Sequence, residues 1–215
     1  EPLYPYRFKG SAITQAWQAV ALMQSESGKH KIGIGTQGTL WSDKTVFQNH
    51  STTGGNALMY AMTERALQII KGNSFVDPIT LLDDILPEVY AYGQKITGNP
   101  DLKTTFALNS LVPVDNAAWI LYQEENGMKN FDEMIPEAYR PGLSQKHDKV
   151  ASIPSFSVGA SIKDIKAAAD EGHFIMKLKT GAAGTQKEML AKDIEFLTAV
   201  HKTLGDRETP YTKNG

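Results

Sequence analysis

The chain has 215 residues, of which 41% are hydrophobic and 21% charged, and its formal net charge is −2. That is ample material for a core, and it carries no electrostatic footprint of a nucleic-acid or anionic-membrane partner. There is no cysteine, so disulfides, thiol nucleophiles and thiolate metal sites are excluded.

No apolar run approaches the roughly 20 residues that span a bilayer, so no membrane partner is expected. No internal repeat or low-complexity tract is present. The opening Glu1-Pro2-Leu3-Tyr4 has neither a basic n-region nor an apolar h-region, as a mature chain that has lost a signal peptide would read. Lack of cysteine suits cytosol and periplasm equally. The cytoplasm is the expected location, with the periplasm open if a signal has been removed.

Strands are expected first. Residues 14–38, "TQAWQAVALMQSESGKHKIGIGTQG", place one apolar run before Ser25-Glu26-Ser27-Gly28 and a Gly-rich run after it, a hairpin pattern with a Gly-containing turn. Helices follow. In residues 55–71, Leu58, Met62, Ala66, Ile69 and Ile70 share one side at helical spacing, and Gly72 ends the run. Pro78 opens a second helical stretch through Leu81, Leu82 and Ile85, expected to break or bend at Pro87. A third, from about Thr104 to Gln123, is expected to be interrupted at Pro113 and to stop at Gly127.

Residues 130–149 are irregular, with Pro136, Pro141 and Gly142, and read as a connection. Beyond them, "VASIPSFSVG" (150–159) suits a short buried strand, and Ser161 with Asp164 suits a capping box opening a helix. A second strand is expected over 173–179, and a second capping box, Thr185 with Glu188, opens a helix to about 205. Strand, helix, strand, helix is a parallel β/α series. The expected organisation is an α+β domain at 1–130, a connection at 131–149 and a β/α region at 150–215.

The second strand holds the oddity. In "GHFIMKLKTG" (172–181), His173, Phe174, Ile175, Met176 and Leu178 suit burial on both faces, yet Lys177 and Lys179 stand two apart. In a strand, both would project from one face, where like charges repel and burial is costly. In β/α folds the active site lies at the C-terminal strand ends, which is where the pair falls. A second cation beside a lysine helps make it a base near neutral pH. Such a base suits removal of a proton next to a carboxylate, with a divalent metal stabilising the product. The plain alternative is that both lysines lie past the strand end and are solvated.

The segment "GHFIMKLKTG" resembles the Gly-Phe-x-x-x-Lys-x-Lys-x-Gly strand of the enolase superfamily, in the branch that includes mandelate racemase and muconate lactonizing enzymes. His173 is an extra residue between Gly172 and Phe174, leaving Ile175 and Met176 before the first lysine. "IPSFSVG" (153–159) falls where that family has its first barrel strand. "VDNAAWILYQEENG" (114–127) is similar to the family's Asp-x-Ala-Leu-Trp-Asp-Leu helix at Asp115, Ala117 and Trp119, and departs from it at Ala118 and Ile120. "KIGIGTQG" resembles the family's Gly-x-x-Gly-Trp-Gly-Glu turn and strand, with its Trp and Glu replaced.

The resemblance implies an α+β N-terminal capping domain followed by the first two units of a (β/α)8 TIM-type barrel. It implies magnesium-dependent abstraction of the proton alpha to a carboxylate, giving a metal-stabilised enolate. The enzyme would be an isomerase (racemase, epimerase or cycloisomerase) or a lyase (acid-sugar dehydratase). Lys179 would be the acid/base, and Lys177 would favour its neutral form and contact the substrate carboxylate. Capping-domain loops near Phe8-Lys9-Gly10 and Trp41–His50 would close over a small carboxylate substrate, making Lys9, Trp41 and His50 candidate substrate-binding residues. A homo-oligomer without a nucleic-acid partner would be expected.

A whole barrel takes about 250 residues, and the family's metal carboxylates come from its third to fifth strands. The Mg²⁺ ligands are therefore expected beyond residue 215, and the remaining half of the barrel is an expected partner. The 215 residues alone are not expected to be active. Two other readings stay open: a non-catalytic carboxylate- or sugar-acid-binding protein on the same fold, and a plain α/β domain in which the lysines have no role.

Overall fold

The computed structural model describes residues 6–8, 11–13 and 15–211. The chain divides into two compact units, Glu1–Ser144 and Gln145–Gly215.

In the first unit, two three-residue strands, β1 (Tyr6–Phe8) and β2 (Ser11–Ile13), pair antiparallel. The expected hairpin follows as β3 (Trp17–Gln24) and β4 (His30–Gln37), in register from Trp17↔Gln37 to Gln24↔His30. Its turn is closed by Ser25 N–H to Lys29 O (2.9 Å) and Gly28 N–H to Ser25 O (3.0 Å). Gly28 has φ +86°, a region that costs an L-residue and not glycine. The hairpin's inner face is built from small residues, Ala19, Ala21, Gly33 and Gly35, with Met23.

Four helices follow in this unit before Asn130: α1 (Thr39–Ser42), α2 (Lys44–Ile70), α3 (Pro78–Thr97) and α4 (Thr104–Glu125). Met59, Met62, Ala66 and Ile70 of α2, Leu81, Ile85 and Val89 of α3, and Phe106, Leu111, Val114 and Leu121 of α4 form one buried cluster. Thr63 buries its hydroxyl by donating to Ser110 O at 2.6 Å, and Tyr90 does so on Leu102 O at 2.7 Å. Both bonds tie neighbouring elements together where an unpaired hydroxyl would be costly.

Three expectations need correcting here. Pro87 and Pro113 do not interrupt their helices, since α3 and α4 run through them. Proline removes one helical hydrogen bond, but most helix stability in a protein comes from packing of the buried face, and Val89, Val114 and Ala117 keep that face buried beyond each proline. The segment 41–50 is not a loop. Trp41 lies on α1 and His50 on α2, because buried Asp43 caps the helix early by accepting from Thr45 N–H (2.8 Å) and Val46 N–H (3.1 Å). The helix that was expected to start at 55 is instead the second part of α2, which bends at Ser51 (φ 59°, ψ 169°). There the Ser51 hydroxyl accepts from Gly54 N–H at 3.2 Å, recapping the chain.

The connection contains a short helix, α5 (Phe131–Met134), and two 3-10 turns, Glu137–Tyr139 and Pro141–Leu143.

The second unit runs β5 (Ser155–Phe156), α6 (Ile162–Asp170), β6 (Lys177–Leu178), α7 (Gln186–Leu204), with β5 and β6 parallel at Ser155↔Lys177 and Phe156↔Leu178. The strand–helix alternation is as expected. The strands are shorter and wetter than expected: Phe174, Ile175 and Lys177 are exposed, as is Ser155. Each strand has only the other as partner among the described residues, and a two-stranded sheet leaves half its ladder groups to water. A barrel is not formed by these residues. The Thr185–Glu188 capping box is complete, whereas at Ser161 the hydroxyl accepts from Lys163 N–H and the reciprocal bond from Asp164 is not made.

Candidate functional site

The lysine pair sits on β6. Lys177 N–H donates to Pro154 O at 3.0 Å and Lys179 N–H to Phe156 O at 2.9 Å. Both backbones therefore turn toward β5, two residues apart, so the two side chains leave from one face. Lys177 is exposed and Lys179 half-buried. The pair stands at the C-terminal end of a parallel strand, directly before the loop Thr180–Gly184 that leads into α7. This end of a β/α unit is where ligands and catalysis are generally found.

That loop is held from α7 by side chains. Asp193 accepts from Gly181 N–H with Oδ1 at 3.1 Å and Oδ2 at 2.9 Å, and from Ala182 N–H with Oδ1 at 3.3 Å. Lys192 Nζ donates to Ala183 O at 2.7 Å. Glu188 accepts from Thr185 N–H and hydroxyl at 2.8 Å each, which holds its carboxyl below the usual carboxylate range. Sequence reasoning missed Asp193. The available signal was an acidic residue two turns into a helix that follows a Gly-Ala-Ala-Gly loop.

The other candidates lie in the first unit. Trp41 is 57% exposed on α1. His50 is half-buried, with Nε2 at 3.0 Å from Thr97 O, a contact that ties α2 to the end of α3. Lys9 lies outside the described residues. The pair Lys177 and Lys179 is thus brought together within one unit, and Trp41 and His50 belong to the other.

Two cavities open on the first unit. One of about 730 Å³ lies among the β3–β4 turn, the end of α2 and the end of α4, with Leu67, Phe75, Lys71 and Glu125 in its lining. The second, about 490 Å³, is apolar, between Ile32, Ile34, Trp119, Ile120 and Phe131. Neither contains Trp41 or His50.

No group of three or more His, Asp or Glu side chains that could hold a metal ion occurs among the described residues. These residues do not fit a Mg²⁺ site. No helix among them is long and apolar enough to cross a membrane.

No family model matches the chain, and no curated protein matches it. Among solved structures, a protein described as a probable mandelate racemase from Alicyclobacillus acidocaldarius is similar over 91% of this chain, at 15% identity and a TM-score of 0.45. The chain spans 45% of that protein's length.

Proposed function

We propose that the chain supplies the capping domain and first two β/α units of an enolase-superfamily enzyme that removes the proton alpha to a carboxylate. The observation that carries this reading is the disposition of Lys177 and Lys179, side by side on one face at the C-terminal end of a parallel strand. The neutral Lys179 amine takes the proton from the α-carbon and becomes an ammonium. The electron pair of the broken C–H bond stays with the substrate as an enolate. Lys177 holds the substrate carboxylate through its positive charge. Return of the proton to the carbon gives racemisation or epimerisation, and loss of a β-substituent gives dehydration. Trp41, exposed on α1, is assigned to covering the substrate. His50 acts in this reading by fixing α2 through Thr97. The Mg²⁺ expected from the resemblance has no ligand set among the described residues. In this reading the rest of the barrel comes from further residues of the same protein.

The test is exchange of substrate α-protons with solvent. The full-length protein is incubated in D₂O with a panel of 2-hydroxy acids and sugar acids, mandelate included, and loss of the α-proton signal is followed by NMR. Removing a general base typically costs about 10²–10⁴-fold, so Lys179→Ala should lose exchange by at least that. Lys177→Met should raise KM as well as lower kcat. Near-normal exchange by Lys179→Ala would sink the assignment.

A further inference from the structure

Lys179 stands between two anchors. Its own N–H is bonded to Phe156 O on β5. Two residues further on, Gly181 N–H is gripped by both carboxylate oxygens of Asp193, and the next amide, Ala182, joins them. Gly181 has φ +105° and Gly184 φ +141°, so this loop follows a course that L-residues rarely take. Bonds from amides to a carboxylate are charge-assisted and stronger than neutral ones. Asp193 itself is fixed, because it lies within the 19-residue α7, whose start is capped by Thr185 and Glu188.

We propose that Asp193 is a positioning residue: it sets the path of the chain leaving β6 and thereby the place of the Lys179 side chain. Its consequence for catalysis rests on the reading of Lys179 as the base, whereas the positioning does not. Displacing a reacting group by about 1 Å can cost 10²-fold in rate, and a strand end followed by a glycine has little stiffness of its own. Without Asp193, the grip on Gly181 and Ala182 is lost, and of the bonds to α7 described above the Lys192 Nζ bond to Ala183 O remains.

The experiment uses Asp193→Ala and Asp193→Asn in the full-length protein, with two readouts that need no substrate. The first is amide hydrogen exchange at Gly181 and Ala182, expected to quicken about 10-fold or more in Asp193→Ala and less in Asp193→Asn, which keeps one acceptor. The second is the ¹³C resonance of Lys179 after reductive methylation, identified with Lys179→Arg. It should shift or broaden while the Lys163 and Lys202 resonances stay. With a substrate found as above, kcat should fall about 10-fold or more with KM changed far less. Unchanged amide exchange would overturn the proposal. So would quicker exchange with an unmoved Lys179 resonance, which would leave Asp193 a staple of the loop only. A wild-type protein that never exchanges α-protons would end the proposed function, while the two spectroscopic readouts would still decide Asp193. Should Asp193→Ala not fold, Asp193→Asn carries the same measurements.

Discussion

Gly33 of β4 lies flush against the main chain of Ala117 on α4: a Cβ built at position 33 would collide with the Ala117 amide nitrogen and the Pro113 carbonyl oxygen. Gly35 is similarly placed, its would-be Cβ 2.5 Å from Pro113 Cδ. The small residues of the hairpin therefore let a whole helix seat on it. Overpacking a fitted interface costs about 1–3 kcal/mol, and here the obstacle is backbone rather than a movable side chain. Gly33→Ala is expected to destabilise the protein by at least that much in denaturant titration. Ala16→Gly, in the exposed residue just before β3, serves as the control and should change stability by less than about 1 kcal/mol.

Asp43 joins two helices. Besides capping α2, it accepts from Lys103 N–H with Oδ2 at 2.9 Å, and Lys103 is the residue that precedes α4. It is 2% exposed, so its removal leaves three amides without an acceptor. A lost cap costs about 1 kcal/mol, and hydrogen bonds to a charged group about 1.5–3 kcal/mol. Asp43→Ala is expected to lose about 3 kcal/mol in a chemical unfolding curve. Asp43→Asn should lose clearly less, since it keeps an acceptor.

Asp115 gives a pH signature. Burial pushes its carboxyl above the usual range, opposed by a hydrogen bond with Trp119, and its Oδ1 is buried without a partner. Below the ordinary carboxylate pKa, the group is neutral in folded and unfolded chains alike, and its full contribution is present. As pH rises, the unfolded chain ionises first, so stability falls until the pH has passed the raised folded value. Melting curves from pH 3 to 7 should show this loss in the wild type and not in Asp115→Asn. A parallel decline in both would refute the account.

Glu125 runs the opposite way. The hydroxyls of Ser25 and Ser27, with a smaller effect from Lys29, hold its carboxyl below the usual range. Its stabilising effect is present above the ordinary glutamate pKa and is lost as pH falls through the depressed folded value. The turn it braces should respond locally. Exchange protection at the Ser25 and Gly28 amides is expected to drop on acidification in the wild type. In Glu125→Gln it should be weaker at neutral pH and nearly independent of pH.

Local sequence determined most of the elements. An apolar run and a Gly-rich run on either side of Ser25–Gly28 mark a hairpin within residues 14–38, and the structure pairs Trp17–Gln24 with His30–Gln37. The i, i+4 spacing of Met62, Ala66 and Ile70 marks the buried face of α2, and the Thr185–Glu188 box marks the start of α7. These signals are short-range, so they are legible without knowing what packs where. The lysine spacing in "KLK" is of the same kind: two residues apart in an extended chain is one face, whatever the surroundings.

Tertiary structure decided the rest. Pro87 and Pro113 are local breakers overridden by packing. Asp43 begins α2 eleven residues before the helical pattern becomes visible, because it also serves α4 across the fold. The length of β5 and β6 depends on partner strands, which no local pattern encodes. Asp193 stands twelve positions from Gly181, and in sequence it is one more acidic residue on a solvated helix. Only folding α7 back beside the end of β6 turns that carboxylate toward the Gly181 and Ala182 amides, because a hydrogen bond is fixed by position in space and not by distance along the chain.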